Sequence, residues 1–113
     1  AAQIEDDITE KFIDALNSKS LDSIMALYTS NAIHVDSTST LQGTTKIRDY
    51  YSTLLNTKLP GATFKLGTVS GSGTNRSFTW SASSTSANVT DGSDTIGLEG
   101  SKIVYHYSFY NIK

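Results

Sequence analysis

A chain of 113 residues with a net charge of −2, from 9 basic and 11 acidic residues in no block of either sign, makes one domain around one core. It has no electrostatic footprint for nucleic acid or an anionic membrane. The absence of Cys excludes disulfide frameworks, thiolate metal sites and a Cys nucleophile.

No apolar run approaches the roughly 18 residues of a membrane span, so the chain reads as soluble. Ser and Thr are abundant while charged residues are only 18%, a balance that suits hydroxyl-rich sheet surfaces and leans toward export. The start at Ala1 without Met fits either a leader removed before it or a trimmed terminus. The sequons at Asn75 and Asn88 carry no weight in so hydroxyl-rich a chain.

Ile8, Phe12, Ala15 and Leu16 recur at helical spacing, with Asp6, Asp7 and Glu10 where carboxylates suit the positive helix end, and predict a first helix from about Ile4 to Asn17. Ser20 is the expected N-cap of a second helix, Leu21 to Tyr28. At Ala32 to Asp36 the period switches to two, with Ile33 and Val35 on one face and His34 and Asp36 on the other. A hydroxyl-rich turn from Ser37 to Thr40 leads into a short strand ending at Leu41. Gly43 stops it, and Thr44 or Thr45 caps a third helix through about Leu55, whose stripe is Ile47, Tyr50, Tyr51, Leu54 and Leu55.

After the Pro60-Gly61 turn everything reads as strand. Phe64 and Leu66 alternate up to a turn at Gly71-Ser72-Gly73. Phe78, Trp80 and Ala82 alternate against hydroxyls, Asp91-Gly92 forms the next turn, Asp94, Ile96 and Leu98 share a side, and Gly100-Ser101 makes a tight hairpin. The last strand, Lys102 to Ile112, carries Ile103, Tyr105, Tyr107 and Phe109 on one face and Val104, His106, Ser108, Tyr110 and Ile112 on the other. Both faces are largely apolar, so this strand is expected at the centre of the sheet. The order predicts an α+β fold: three N-terminal helices packed in a strongly curved, mostly antiparallel sheet that leaves a pocket at its open end.

Several residue types in this pattern could carry chemistry. Asp36 and Asp94, if both enter one apolar pocket, would have their acidities split by burial into a base and a hydrogen-bond donor. The competing reading makes Asp36 a cap on the turn that follows it and Asp94 part of a turn with Asp91. His106, among aromatics, is a pocket base or donor, or a core His bonded to a Tyr or carboxylate. His34, on the face of Asp36, is a pocket residue or, more in keeping with its place in the strand, a solvated position. Phe64, Phe78, Trp80 and Tyr110 form the expected apolar wall, with Ser108 beside them. The band Ile103, Tyr105, Tyr107 and Phe109 would leave an unusual aromatic patch in water, which points to a two-fold dimer through these sheet faces. The two His and the carboxylates match no metal-ligand spacing, no Gly-x-Ser-x-Gly occurs, and Gly71-Ser-Gly73 has no helix after it to cradle a phosphate, so neither metal nor cofactor is expected.

The runs Phe12 to Tyr28, Asn31 to Asp36 and Gly43 to Tyr51 resemble the NTF2-like superfamily, its SnoaL-like and ketosteroid-isomerase-like branches above all. The resemblance covers nearly the whole chain. It implies a cone-shaped α+β barrel with a deep apolar pocket, a homodimer through the outer sheet face, and a scaffold shared by isomerases, cyclases, hydrolases and non-enzymatic binders. It further implies that Asp36 lies where those isomerases place the proton-shuttling carboxylate, and Asp94 where they place an acid that donates to the developing oxyanion. Tyr28 and Tyr51 match tyrosines that buttress that donor. Phe12 stands where the oxyanion tyrosine is expected and has no hydroxyl. The function so implied is binding of a small apolar ligand with cofactor-free acid–base chemistry on a carbonyl compound, or else a non-catalytic binding or assembly module.

Overall fold

The computed structural model describes residues 8–36, 38–71 and 73–113. The expected helix start at Ile4, and the turn residues Ser37 and Ser72, lie outside them. Helix α1 (Ile8–Ser18) turns Phe12, Ile13, Ala15 and Leu16 inward. Lys19 ends it in the left-handed region, at φ 60°. The Asn17 side-chain amide then clamps the backbone of Phe64 from both sides, Nδ2 donating to the carbonyl at 2.9 Å and Oδ1 accepting from the amide at 2.7 Å. A helix end is thereby stitched to a strand 47 residues away.

Helix α2 (Leu21–Met25) has the expected cap, with the Ser23 amide donating to Ser20 Oγ. It is shorter than its stripe suggested. Tyr28 opens strand β1 (Tyr28–Val35) instead, because the chain must already be extended there to pair with Ile103. Strand β2 (Thr40–Gln42) follows, then α3 (Thr44–Thr53). Its N-cap is Gly43, at φ 91°, and neither Thr44 nor Thr45. The Gly43 amide bonds the Ala32 carbonyl at 2.9 Å, which fixes the helix start against β1. A π-helical turn, Leu54–Lys58, finishes this helix.

Strands β3 (Thr63–Ser70), β4 (Asn75–Ser83), β5 (Asn88–Glu99) and β6 (Lys102–Phe109) complete one six-stranded sheet in the order β2-β1-β6-β5-β4-β3. All neighbours are antiparallel except β1 with β6, and β6 sits centrally as its two apolar faces required. Asp91-Gly92 is not a turn. It lies inside β5, and the reversal between β4 and β5 is made at Ser84, whose amide bonds the Ala87 carbonyl. The reason is packing: a Cβ on Gly92 would come within 2.3 Å of the Trp80 ring, so the glycine serves a close side-chain approach across the sheet.

A register shift between Gly97 and Leu98 leaves Val104 as the extra residue on β6, and this bulge reverses the strand's phase. Ile103 is therefore fully buried in the core, whereas Tyr105, Tyr107 and Phe109 remain about two-fifths exposed. The expected outward band loses its first member. On the inner face, Phe12 meets Phe78 and His106 edge-on, at ring separations of 6.0 and 5.1 Å, which seats α1 in the concave side of the sheet. Truncating Phe12 to Ala removes contacts to both, a change that costs about 3–5 kcal/mol in well-packed cores.

Candidate active site

Five strands and two helices deliver side chains to one place at the centre of this core. Trp80 from β4, Asp94 from β5 and Ser108 from β6 are neighbours on the inner face because Asp94 pairs with Ser108 and Trp80 sits over Gly92. The Asp94 Oδ1 accepts from Trp80 Nε1 and from Ser108 Oγ, each at 2.9 Å, and its Oδ2 lies 2.6 Å from His106 Nε2. The other ring nitrogen of His106 is 2.6 Å from the Tyr28 hydroxyl, which is 2.7 Å from that of Tyr51. Asp94, His106, Tyr28 and Tyr51 are each no more than 3% exposed. An unbroken line of hydrogen bonds thus runs through dry core from a carboxyl to a phenol.

His34 is buried as well, and not solvated: it is the register partner of His106 across the parallel β1–β6 pair, so the two rings share a face at 4.7 Å. No alternation within β1 alone could reveal that, because it depends on which strand pairs with which. Burial drives the His34 pKa down to about 3, and His106 adds to the fall, so its ring is neutral near neutral pH. Its Nδ1 is a buried polar atom with no hydrogen-bond partner among the described residues. Such an atom costs about 1–3 kcal/mol, so it marks a place where a partner is wanted.

Beside them is a hollow lined by Phe12, Leu16, Leu54, Phe64 and Trp80 and by the polar side chains of His34, Tyr51, Asp94 and Ser108. Of the expected lining residues, Tyr28 and Phe78 stand behind this wall rather than on it. The hollow holds about 10 Å³, the room of a single water. It is shut by Tyr50 and Tyr110, whose hydroxyls are hydrogen-bonded to each other. Outside, Tyr50 borders a groove of about 360 Å³ with Lys46, Asp49 and Lys58, and Tyr110 one of about 260 Å³ with Asp36, Lys58 and Asn111. The tail bearing Tyr110 is held by Asp91, whose two carboxylate oxygens accept from the Asn111 amide and side chain at 3.0 and 2.8 Å.

Asp36 does not share the hollow with Asp94. Its Oδ1 accepts from the Thr38 and Ser39 amides at 2.8 Å and from their hydroxyls, the turn-capping role. Partial burial pushes its pKa up, but these bonds outweigh burial and hold it below the usual carboxylate value. The pairing of Asp36 with Asp94 is therefore replaced by that of His106 with Asp94. Burial raises Tyr28, Tyr50, Tyr51 and Tyr110 above an ordinary tyrosine, so all four stay protonated hydroxyls. Among the described residues no three His or carboxylate side chains gather as a metal site.

The model of the SnoaL-like domain matches residues 9–106. The chain belongs to the SnoaL-like family. Three solved structures share its NTF2-like fold: an NTF2-like protein from Cytophaga hutchinsonii (14% identity, 97% of this chain and 93% of that one, TM-score 0.77); SalBIII, an epoxide hydrolase/cyclase-like enzyme of pyran ring formation in the polyether salinomycin (19%, 92% and 88%, 0.79); and a SnoaL-like family protein from Agrobacterium tumefaciens (23%, 92% and 94%, 0.74). At these identities the likeness is one of fold. No curated protein sequence matches the chain significantly. No helix among the described residues is long and apolar enough to cross a membrane.

Proposed function

We propose that this SnoaL-like domain takes a small, largely apolar carbonyl compound into the hollow behind Tyr50 and Tyr110 and carries out cofactor-free acid–base chemistry on it, of the isomerase or cyclase kind. The observation that carries this reading is the Asp94–His106 pair, dry and 2.6 Å apart, at the wall of an aromatic hollow where His34 Nδ1 lacks a partner. Asp94 exchanges a proton with carbon, while His34 and the Tyr51 hydroxyl are placed to hydrogen-bond the carbonyl oxygen. Phe64, Trp80 and Leu54 grip the apolar body and keep water away. Entry requires the Tyr50–Tyr110 hydroxyl bond to part and the lining side chains to move outward, since the closed hollow holds only about 10 Å³.

The test is a thermal-shift screen of small cyclic ketones and enones, followed by ¹⁵N spectra of the His ring nitrogens with each hit. A ligand at 100 times its Kd adds about 2.7 kcal/mol to stability, and a hit in the hollow moves the His34 Nδ1 resonance. Hits that stabilise the protein without moving His34 would place the ligand elsewhere and refute the reading.

A second reading is favoured by the fullness of the core: with about 10 Å³ free and no hydroxyl at Phe12, the same residues serve a non-catalytic binding or assembly module. In either case the exposed rings of Tyr105, Tyr107 and Phe109, side by side on the central strand, support association of two copies through the outer sheet face.

A further inference from the structure

Both ends of the buried hydrogen-bond line come up against the same hollow. Asp94 and Ser108 border it at one end and Tyr51 at the other, while the middle members, His106 and Tyr28, are walled off behind. A row of groups that each donate one proton and accept another, entered and left from one chamber, can take a proton from one atom of a molecule and return one to another atom of it. In dry core this matters, because a separated charge there is far more costly than in water and a shift that moves every proton one place creates none.

We infer that Asp94, His106, Tyr28 and Tyr51 act together as a neutral proton conduit whose substrates are enolisable ketones; the inference rests on the acid–base reading above. In the forward stroke the α-carbon's C–H bond breaks and its proton goes to Asp94 Oδ1, displacing the Ser108 hydroxyl from that oxygen. The proton on Asp94 Oδ2 passes to His106 Nε2, that on His106 Nδ1 to the Tyr28 oxygen, and that of Tyr28 to Tyr51. Tyr51 gives its own proton to the carbonyl oxygen, and the C–H electron pair becomes the C=C bond of the enol. Four protons sit on the conduit before and after. The return stroke runs the same steps backward and delivers the Oδ1 proton to carbon, which resets the line. Asp94 and Tyr51 are catalytic in this scheme, and His106 and Tyr28 are positioning residues that act through them.

The conduit requires His106 to exchange between two neutral tautomers, Nδ1–H with the proton on Oδ2 and Nε2–H with it on Oδ1; without a ketone, one water entering the hollow takes the Tyr51 proton and gives one to Oδ1, which closes the line. In ¹⁵N spectra of the whole chain both His106 ring nitrogens are expected at intermediate positions. Tyr28→Phe removes the Nδ1 partner, and Tyr51→Phe leaves Tyr28 only Nδ1 to donate to, so each is expected to collapse His106 to Nε2–H. The second effect crosses an intervening residue, which packing alone would not produce. A single tautomer in the unaltered protein, a doubly protonated ring, or intermediate positions indifferent to Tyr51→Phe would each overturn the conduit.

The kinetic arm uses an optically active α-methyl cyclohexanone: an enol that leaves and rebinds by its other face takes the Oδ1 proton on that face, which resets the line and erases the rotation. Tyr28→Phe is expected to lower kcat for this loss about 100-fold, the low end of what positioned proton transfer contributes, with KM unchanged. Equal kcat in the two proteins would also overturn the conduit. No turnover by the unaltered protein would sink the acid–base reading instead, and the tautomer spectra would still judge the conduit.

Discussion

Asp94 and His106 meet at 2.6 Å with neither side chain in contact with water, and every oxygen of the carboxyl group is engaged by a neighbour that is itself fixed. The relationship makes a polar network an integral part of the core. Removing one member leaves several buried donors without an acceptor, which is more damaging than the loss of one bond.

Asp94→Ala should therefore lower stability by at least about 1–3 kcal/mol, since Trp80 and Ser108 lose their acceptor and His106 its partner in dry core. Urea unfolding of Asp94→Ala, His106→Gln and the double variant checks it. Coupling of at least about 0.5 kcal/mol between the two sites is expected; additive losses would show that the pair does not act as a unit.

The hydroxyl pair of Tyr50 and Tyr110 holds the hollow shut, so Tyr110→Phe should cost only about 0.5–1.5 kcal/mol in stability while admitting ligands faster. Association rates for any ketone found by thermal shift, measured by stopped-flow Trp80 fluorescence, should rise. Unchanged rates would mean that entry lies elsewhere.

The burial of His34 gives the fold an acid weakness whose sign is determined. Its folded pKa, about 3, lies below the ordinary value of 6.5, so the unfolded chain binds the extra proton between them. Stability from this group is complete above about pH 6.5 and declines as the pH falls, by at most about 1.4 kcal/mol per unit. His34→Phe keeps the ring contact with Tyr50 and discards the unpartnered nitrogen. It should flatten the slope of the unfolding midpoint between pH 6.5 and 4 without lowering stability at pH 7.

Gly92→Ala puts a methyl group into the Trp80 ring, 2.3 Å from its nearest atom. Overpacking of this kind costs about 1–3 kcal/mol. Because Trp80 must move, its bond to Asp94 should break and its emission shift to the red. An unshifted spectrum would show that the sheet yields instead of the ring.

If two copies join through the outer face, Tyr107→Lys in the middle of the exposed band should give a folded monomer. Sedimentation equilibrium decides it, and an identical mass for the altered and unaltered chains would remove that interface.

Periodicity made the helices legible, since Phe12, Leu16, Ile47 and Tyr51 repeat at the spacing that puts them on one side. Two apolar faces on the last strand were enough to put it in the middle of the sheet. The alternation of Trp80 and Ala82 with hydroxyls likewise marked an inner and an outer face. These are local properties, and a strand or helix shows them without its neighbours.

The site was legible in part only. Asp94, His106, Ser108, Tyr51 and the aromatic wall stood out as polar or bulky residues among apolar ones, but Asp36 stood out equally and is held by its own turn. Strand pairing across the parallel β1–β6 junction set His34 against His106, the bulge at Val104 turned Ile103 inward, and the approach of Trp80 made Gly92 a strand residue instead of a turn. Pattern along a chain reports which face a residue prefers, and by itself it determined the α+β layout here. Which preferences meet depends on contacts between residues far apart in sequence, and only the tertiary structure decided that the acid of this site is partnered by a histidine.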